Sequence, residues 1–246
     1  MGTSVAMVIG VGAEQGLGAA LCRRFAAERL HVLVGGRTPD KIERVVKTIQ
    51  RGGGSAEAVQ IDTTRKDEVI RTFDRAFAAT DGRESCELIV YNAGNNRKLD
   101  FRELSAESFE DFWRVGCFGG FLVGREAARR LVPLGRGTVL FTGASGSLRG
   151  KPGFAHFAVA KAGLRMIAQS MAREFGPLGI HVAHVVIDGG INGERLRRVR
   201  PAVLDERGEE ALLDIDAIAE TYWHIHRQPR AAWAHEIDLR PFKEPF

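Results

Sequence analysis

Apolar residues along this chain fall into two kinds of segment that alternate. Short runs rich in β-branched and aliphatic residues span Ser4 to Ile9, His31 to Val34, Ala56 to Ile61, Glu87 to Tyr91, Thr138 to Thr142, His181 to Ile187 and His235 to Leu239. Between most of them lie longer stretches in which apolar residues recur every three or four positions. Runs of the first kind read as strands and stretches of the second kind as amphipathic helices, so the pattern predicts βαβ units and a mainly parallel sheet covered on both faces.

Two helices are well marked. One is predicted from Leu17 to about Arg29, with Ala20, Leu21, Phe25 and Ala26 on one face. Another begins after Gly153 and stops at Gly176-Pro177, with Phe157, Ala160, Leu164, Ile167, Met171 and Phe175 forming an apolar stripe. The stretch from Gly189 to Ala217 is the least regular. It reads as an insertion on the substrate side, a lid, because segments after a strand's carboxyl end cover ligands in this architecture.

At 246 residues, with 44% hydrophobic and 27% charged positions, the chain reads as one domain whose core needs no disulfide or metal. Its three cysteines, Cys22, Cys86 and Cys117, lack the close spacing of metal sites or redox pairs, and reduced thiols in a cytoplasmic protein are expected. The apolar start is too short for a signal-peptide core, and no membrane span is expected. A net charge of +4 and a pI near 9.2 do not call for a nucleic-acid partner. The arginines are scattered, and their densest run, Arg195 to Arg200, reads as a solvated or substrate-facing loop. Metal binding is not expected: His224 and His226 point to different sides of a helix.

Directly after the first strand stands GVGAEQGLG, with Gly12, Gly16 and Gly18 leading into the helix. Glycines there permit a tight turn and let a pyrophosphate approach backbone without a Cβ in the way, at a helix end whose free N–H groups attract anions. The spacing Gly-x-x-x-Gly-x-Gly resembles the short-chain dehydrogenase/reductase family, and other motifs follow in that family's order. Asp62 and Thr63 follow the third strand, the fourth ends in Asn92-Ala93-Gly94, and Lys161 lies on the helix beyond the fifth. The resemblance covers Ser4 to Leu239 and implies a single-domain, Rossmann-type doubly wound parallel sheet of about seven strands with helices on both faces.

It also implies a nicotinamide cofactor held by Gly12, Glu14, Gln15, Gly16, Leu17, Gly18, Arg37, Asp62, Thr63, Asn92, Ala93, Gly94, Lys161, Gly189 and Ile191. The second strand ends in Gly35-Gly36-Arg37, 19 residues after Gly18, with no Asp or Glu to accept from a ribose 2′-hydroxyl. Arg37 suits a 2′-phosphate instead, so NADP(H) is expected over NAD(H). A carboxylate at Glu14, where NADP-selective relatives carry a base, argues the other way.

The family's catalysis uses a tyrosine as acid or base, a lysine four residues later that lowers its pKa, a serine that polarises the carbonyl and an asparagine that anchors a water relay. Here the tyrosine-to-lysine segment reads FAVAK: Phe157 stands at the tyrosine position and Lys161 is kept. No other register restores it, because Tyr91 and Tyr222 are followed four residues on by Asn95 and His226. The serine position falls on Ala144, one residue before Ser145, and the asparagine position on Gly116. Asp188 replaces the proline of the family's Pro-Gly turn and is read as either a base or a turn cap. His156 is expected to point away from the site and Tyr91 to be sheet core. Two functions stay open: an oxidoreductase of an unidentified small molecule whose acid or base is Ser145, Lys161, Asp188 or the substrate, and a cofactor-binding protein without turnover. The resemblance also implies a homodimer or homotetramer paired through the helices containing Trp113 and Lys161.

Overall fold

The computed structural model describes residues 3–78 and 82–244. Strand β1 (Thr3–Ile9) alternates strictly between two cores: Ala6 and Val8 join one, Val5, Met7 and Ile9 the other. That alternation follows from the two-residue period of a strand, and burial on both faces is why β1 reads as an unbroken apolar run. After β1 come α1 (Leu17–Ala27), β2 (His31–Gly36), α2 (Pro39–Arg51), β3 (Ser55–Gln60), α3 (Lys66–Phe77) and β4 (Arg83–Tyr91). The second half holds α4 (Ala106–Trp113), α5 (Gly119–Leu131), β5 (Thr138–Thr142), α6 (Ala155–Phe175), β6 (His181–Ile187), β7 (Gly190–Ile191), α7 (Glu194–Val199), α8 (Val203–Arg207), β8 (Leu212–Leu213), α9 (Ile215–His226) and β9 (Glu236–Leu239).

The main sheet has seven parallel strands in the order β3-β2-β1-β4-β5-β6-β9. One face packs against α1, α2 and α9, burying Phe25, Ile42, Val45 and Tyr222; the other packs against α3, α5 and α6, burying Phe73, Leu122, Leu164 and Phe141. All seven sequence-read strands are present. The strand order reverses between β1 and β4, so the crevice beyond their carboxyl ends is where this architecture places a ligand.

Two regions depart from the simple pattern. The segment read as an irregular insertion up to Ala217 ends earlier, because Asp214 accepts from the N–H groups of Asp216 and Ala217 and so caps α9. Within it, β7 and β8 pair as a separate two-stranded sheet that anchors α7 and α8. Between α4 and α5 the helix widens into a π turn over Arg114–Phe118, with Gly116 at its centre. Among the described residues no helix is long and apolar enough to cross a membrane.

Candidate active site

At the switch point lies a cavity of about 340 Å³ lined by backbone of the glycine turn, by Arg37, Thr38 and Lys41 after β2, by Asp62 and Thr63 after β3, and by Ala93 to Asn95 after β4. Its floor is shaped by glycines for distinct reasons. A Cβ at Gly12 would meet no protein atom within 4 Å, so glycine there leaves room on the cavity side and answers no packing need of the protein. A Cβ at Gly18 would press on Val11 Cα at 3.0 Å and Gly10 O at 3.1 Å, so that glycine lets α1 start close against the turn. Asn92 spans the same turn by donating from Nδ2 to Gly10 O (3.2 Å).

Arg37 and Lys41 face this cavity without a carboxylate partner within 4.0 Å among the described residues. Glu14 does not oppose them. Its carboxylate accepts from Thr48 Oγ1 on α2 at 2.5 Å and is not among the groups that line the cavity. The backbone carbonyl of Gln15 accepts from the Glu194 N–H at 2.8 Å. Asp62 Oδ1 accepts from the Thr64 N–H and hydroxyl, which sets the turn after β3.

Lys161 is fully buried on α6 and donates from Nζ to Thr142 O at 2.7 Å. It packs so closely that a Cβ on Gly94 would lie 3.1 Å from Nζ, which puts the ammonium beside the Asn-Ala-Gly turn at the cavity wall. Burial without a nearby carboxylate pulls its pKa down to about 8.

The sequence pattern of short chain dehydrogenases matches residues 5–202. The chain belongs to that family. An uncharacterized oxidoreductase of Bacillus subtilis, YuxG, is 32% identical over 188 residues, a match spanning 75% of this chain and only 27% of that protein. The crystal structure of a short-chain dehydrogenase from Rhodopseudomonas palustris is 36% identical and superimposes with a TM-score of 0.82, covering 97% of this chain and 99% of that one. A metagenomic short-chain oxidoreductase solved in complex with NADP is 22% identical and shares the fold, with a TM-score of 0.81 over 97% of this chain and 96% of that one.

Within this dehydrogenase fold the other sequence-read positions sort clearly. Phe157 lies one turn before Lys161 and packs its ring against Gly146, where a Cβ would sit 3.0 Å away. Ala144 opens a short 3-10 turn over Ser145–Ser147. Within this turn Ser147 is the serine tied into a network. Its Oγ accepts from the Ala144 N–H at 3.1 Å and lies 3.3 Å from His184 Nε2. His184 Nδ1 lies 3.0 Å from Glu236 Oε2, and Glu236 takes two bonds of 2.7 Å from Arg165. Burial lowers the His184 pKa to about 4, partly opposed by Glu236, so the ring is neutral, donating from Nδ1 and accepting from Ser147 at Nε2. Ser147, His184 and Glu236 drew no attention in the sequence, where they stand 37 and 52 residues apart.

Asp188, for which the sequence leaves a base and a turn cap open, follows the last residue of β6. Its buried carboxylate is held by Arg149 at 2.9 Å and Arg240 at 2.5 Å, and serves as their shared counter-ion. Gly189 packs on Pro241, and Ile191 pairs with Leu213, so both build the lid's base and not the cavity lining. Gly16 and Leu17 serve the helix start, Leu17 being buried. His156 is buried and lies 3.2 Å from Arg97 O, and Tyr91 is core, with its hydroxyl donating to Val115 O. Gly116 is confined: a Cβ there would lie 2.7 Å from Ala160 Cβ.

Proposed function

We propose that the chain binds NADP(H) in the cavity at the switch point, in preference to NAD(H), and serves as an oxidoreductase of a small molecule whose acid or base is Lys161. The observation that carries the cofactor reading is the pairing of two uncompensated cations, Arg37 and Lys41, with a Glu14 carboxylate turned onto Thr48. A 2′-phosphate beside Arg37 then meets attraction without repulsion from Glu14. The NADP complex of the metagenomic relative agrees with this reading.

A nicotinamide cofactor supplies the hydride when bound. The chain's own part is to seat it on the glycine turn, hold it against Gly94 and Asn92, and offer a proton. Lys161 carries its proton at neutral pH, yet its pKa of about 8 leaves it ready to give that proton to the carbanion that hydride addition to a conjugated double bond develops. Phe157, Ala144 and Gly116 contribute no proton and no polar contact, so a substrate that needs little help, such as an iminium or a conjugated double bond, fits best.

A second reading, a cofactor-binding protein without turnover, is favoured by one observation: Ala160 occupies the space that an asparagine at 116 would need. Titrating NADPH fluorescence tests the premise shared by both readings. Saturable binding that is weaker for NADH is the expected outcome, and the absence of binding by either cofactor overturns both. Replacing Lys161 by Met then separates them, because a loss of turnover with NADPH binding retained supports the enzyme.

Pairing with a second copy is proposed through α6, which carries Lys161, and the helix that runs on from Trp113 at the end of α4 through the π turn into α5. Their outer faces form a groove of about 660 Å³ lined by Phe121, Met166, Ile167, Met171 and Phe175, of which Phe121 is 43% and Met166 49% exposed. Sedimentation of the free chain as a dimer or larger assembly is the expected result.

A further inference from the structure

The lid does more than border the substrate side. Its helix α7 begins directly on the glycine turn: the Glu194 N–H donates to Gln15 O at 2.8 Å, and a Cβ on Gly193 would lie 2.8 Å from that same carbonyl. From there the four residues that follow face different ways. Leu196 packs against Gly190 of β7, and Arg197 bonds back to Asn192 Oδ1 at 3.0 Å. Arg195 and Arg198, three residues apart and therefore on one side of the helix, both line the cavity opposite Arg37 and Lys41.

Arg195 donates to the carbonyl of Asn96, beyond the turn after β4. It thereby crosses the cavity mouth from the glycine turn to the far wall. Neither Arg195 nor Arg198 has a carboxylate within 4.0 Å among the described residues, and the lining as a whole carries four cations against Asp62 and Glu194. Desolvation, and then repulsion between the two guanidiniums, lower the pKa of Arg195 even though its side chain is exposed at the cavity mouth. An anion between them removes both penalties.

We infer that Arg195 and Arg198 are cofactor-binding residues that clamp the pyrophosphate of the dinucleotide from the lid side, Arg195 exchanging the Asn96 carbonyl for a phosphate oxygen. Resting on the cofactor reading above, this assigns the arginine-rich stretch to the cofactor, not to an anionic substrate. The pyrophosphate is chosen over the 2′-phosphate because Arg195 bridges from the glycine turn toward Asn96, whereas Arg37 and Lys41 stand after β2. It follows that the lid is held shut by whatever dinucleotide is bound, phosphorylated at the 2′ position or not.

The test measures two ligands on the full chain, NADPH by fluorescence and ADP-ribose by calorimetry, since ADP-ribose has the pyrophosphate but neither 2′-phosphate nor nicotinamide. Each of Arg195→Ala and Arg198→Ala is expected to raise both Kd values roughly tenfold, the double variant on the order of a hundredfold, the scale of charge-assisted hydrogen bonds. Arg195→Lys recovers part of the loss, and Arg37→Ala weakens NADPH alone. Unfolding curves of the free variants that overlay the wild type establish that the loss is one of contact and not of folding.

Variants that bind both ligands within twofold of the wild type overturn the inference and leave the cofactor reading standing. Weakening confined to NADPH, or an ADP-ribose that fails to bind a chain that binds NADPH, also overturns the pyrophosphate assignment. A wild-type chain that binds neither ligand removes this inference together with the functional reading.

Discussion

Acidification from pH 7.5 to pH 5 is expected to remove about 2 kcal/mol of stability through His184 alone. The ring is fully buried between the turn after β5 and Glu236, and burial holds its pKa at about 4 in the folded chain against an ordinary 6.5. The unfolded chain therefore takes up the proton first. The contribution is whole above about pH 6.5, falls as pH drops, and is exhausted near pH 4 at roughly 3 kcal/mol. Urea unfolding at the two pH values, on the wild type and on His184→Asn, isolates the group because asparagine does not titrate. Wild type should lose about 2 kcal/mol more than the variant, or roughly 4–8 °C in Tm for a domain of this size. His31, His156 and His181 are also lowered, chiefly by burial, and act in the same direction, but both proteins share them. A variant that loses as much stability as the wild type refutes the reasoning, and with it the neutral ring that accepts from Ser147.

Three further outcomes follow from contacts at the site. Gly116→Asn should destabilise by about 1–3 kcal/mol by overpacking Ala160, and Ala160→Gly in the same chain should recover part of that loss; additive effects in unfolding experiments would show that the two positions do not touch. Phe157→Tyr with Ala144→Ser should raise NADPH-dependent reduction of simple ketones at least about tenfold, since an acid and a carbonyl donor are restored beside Lys161; an unchanged rate in a variant that still binds NADPH counts against the placement of these residues. Asp188→Asn should cost about 2 kcal/mol, because Arg149 and Arg240 lose their shared counter-charge while the partial exposure of Arg149 softens the loss; a change under about 0.5 kcal/mol in chemical unfolding counts against that ion pair as a structural element.

The sheet and the glycine turn were legible because both depend on neighbours in sequence. The two-residue alternation of β1, the apolar stripe of α6 and the Cβ-free positions at Gly12 and Gly18 are local requirements, readable wherever the backbone geometry is regular. The replacement of a tyrosine by Phe157 was equally plain, being a matter of spacing from Lys161. What the tertiary structure alone decided are choices between partners far apart in the chain. Glu14 reads as a cofactor contact, and its bond to Thr48 on α2 exists only in the fold. Asp188 reads in the sequence as a base or a turn cap, and only the fold brings Arg149 and Arg240 onto its carboxylate. Ser147, His184 and Glu236 mean nothing singly and form a chain of hydrogen bonds only once β5, β6 and β9 lie side by side. Arg195 and Arg198 read as part of a solvated or substrate-facing loop, and only the docking of α7 on the glycine turn sets both at the cavity. A charge or polar group in isolation has many acceptable partners, and which one it takes is settled by the distances that packing the sheet and its helices imposes.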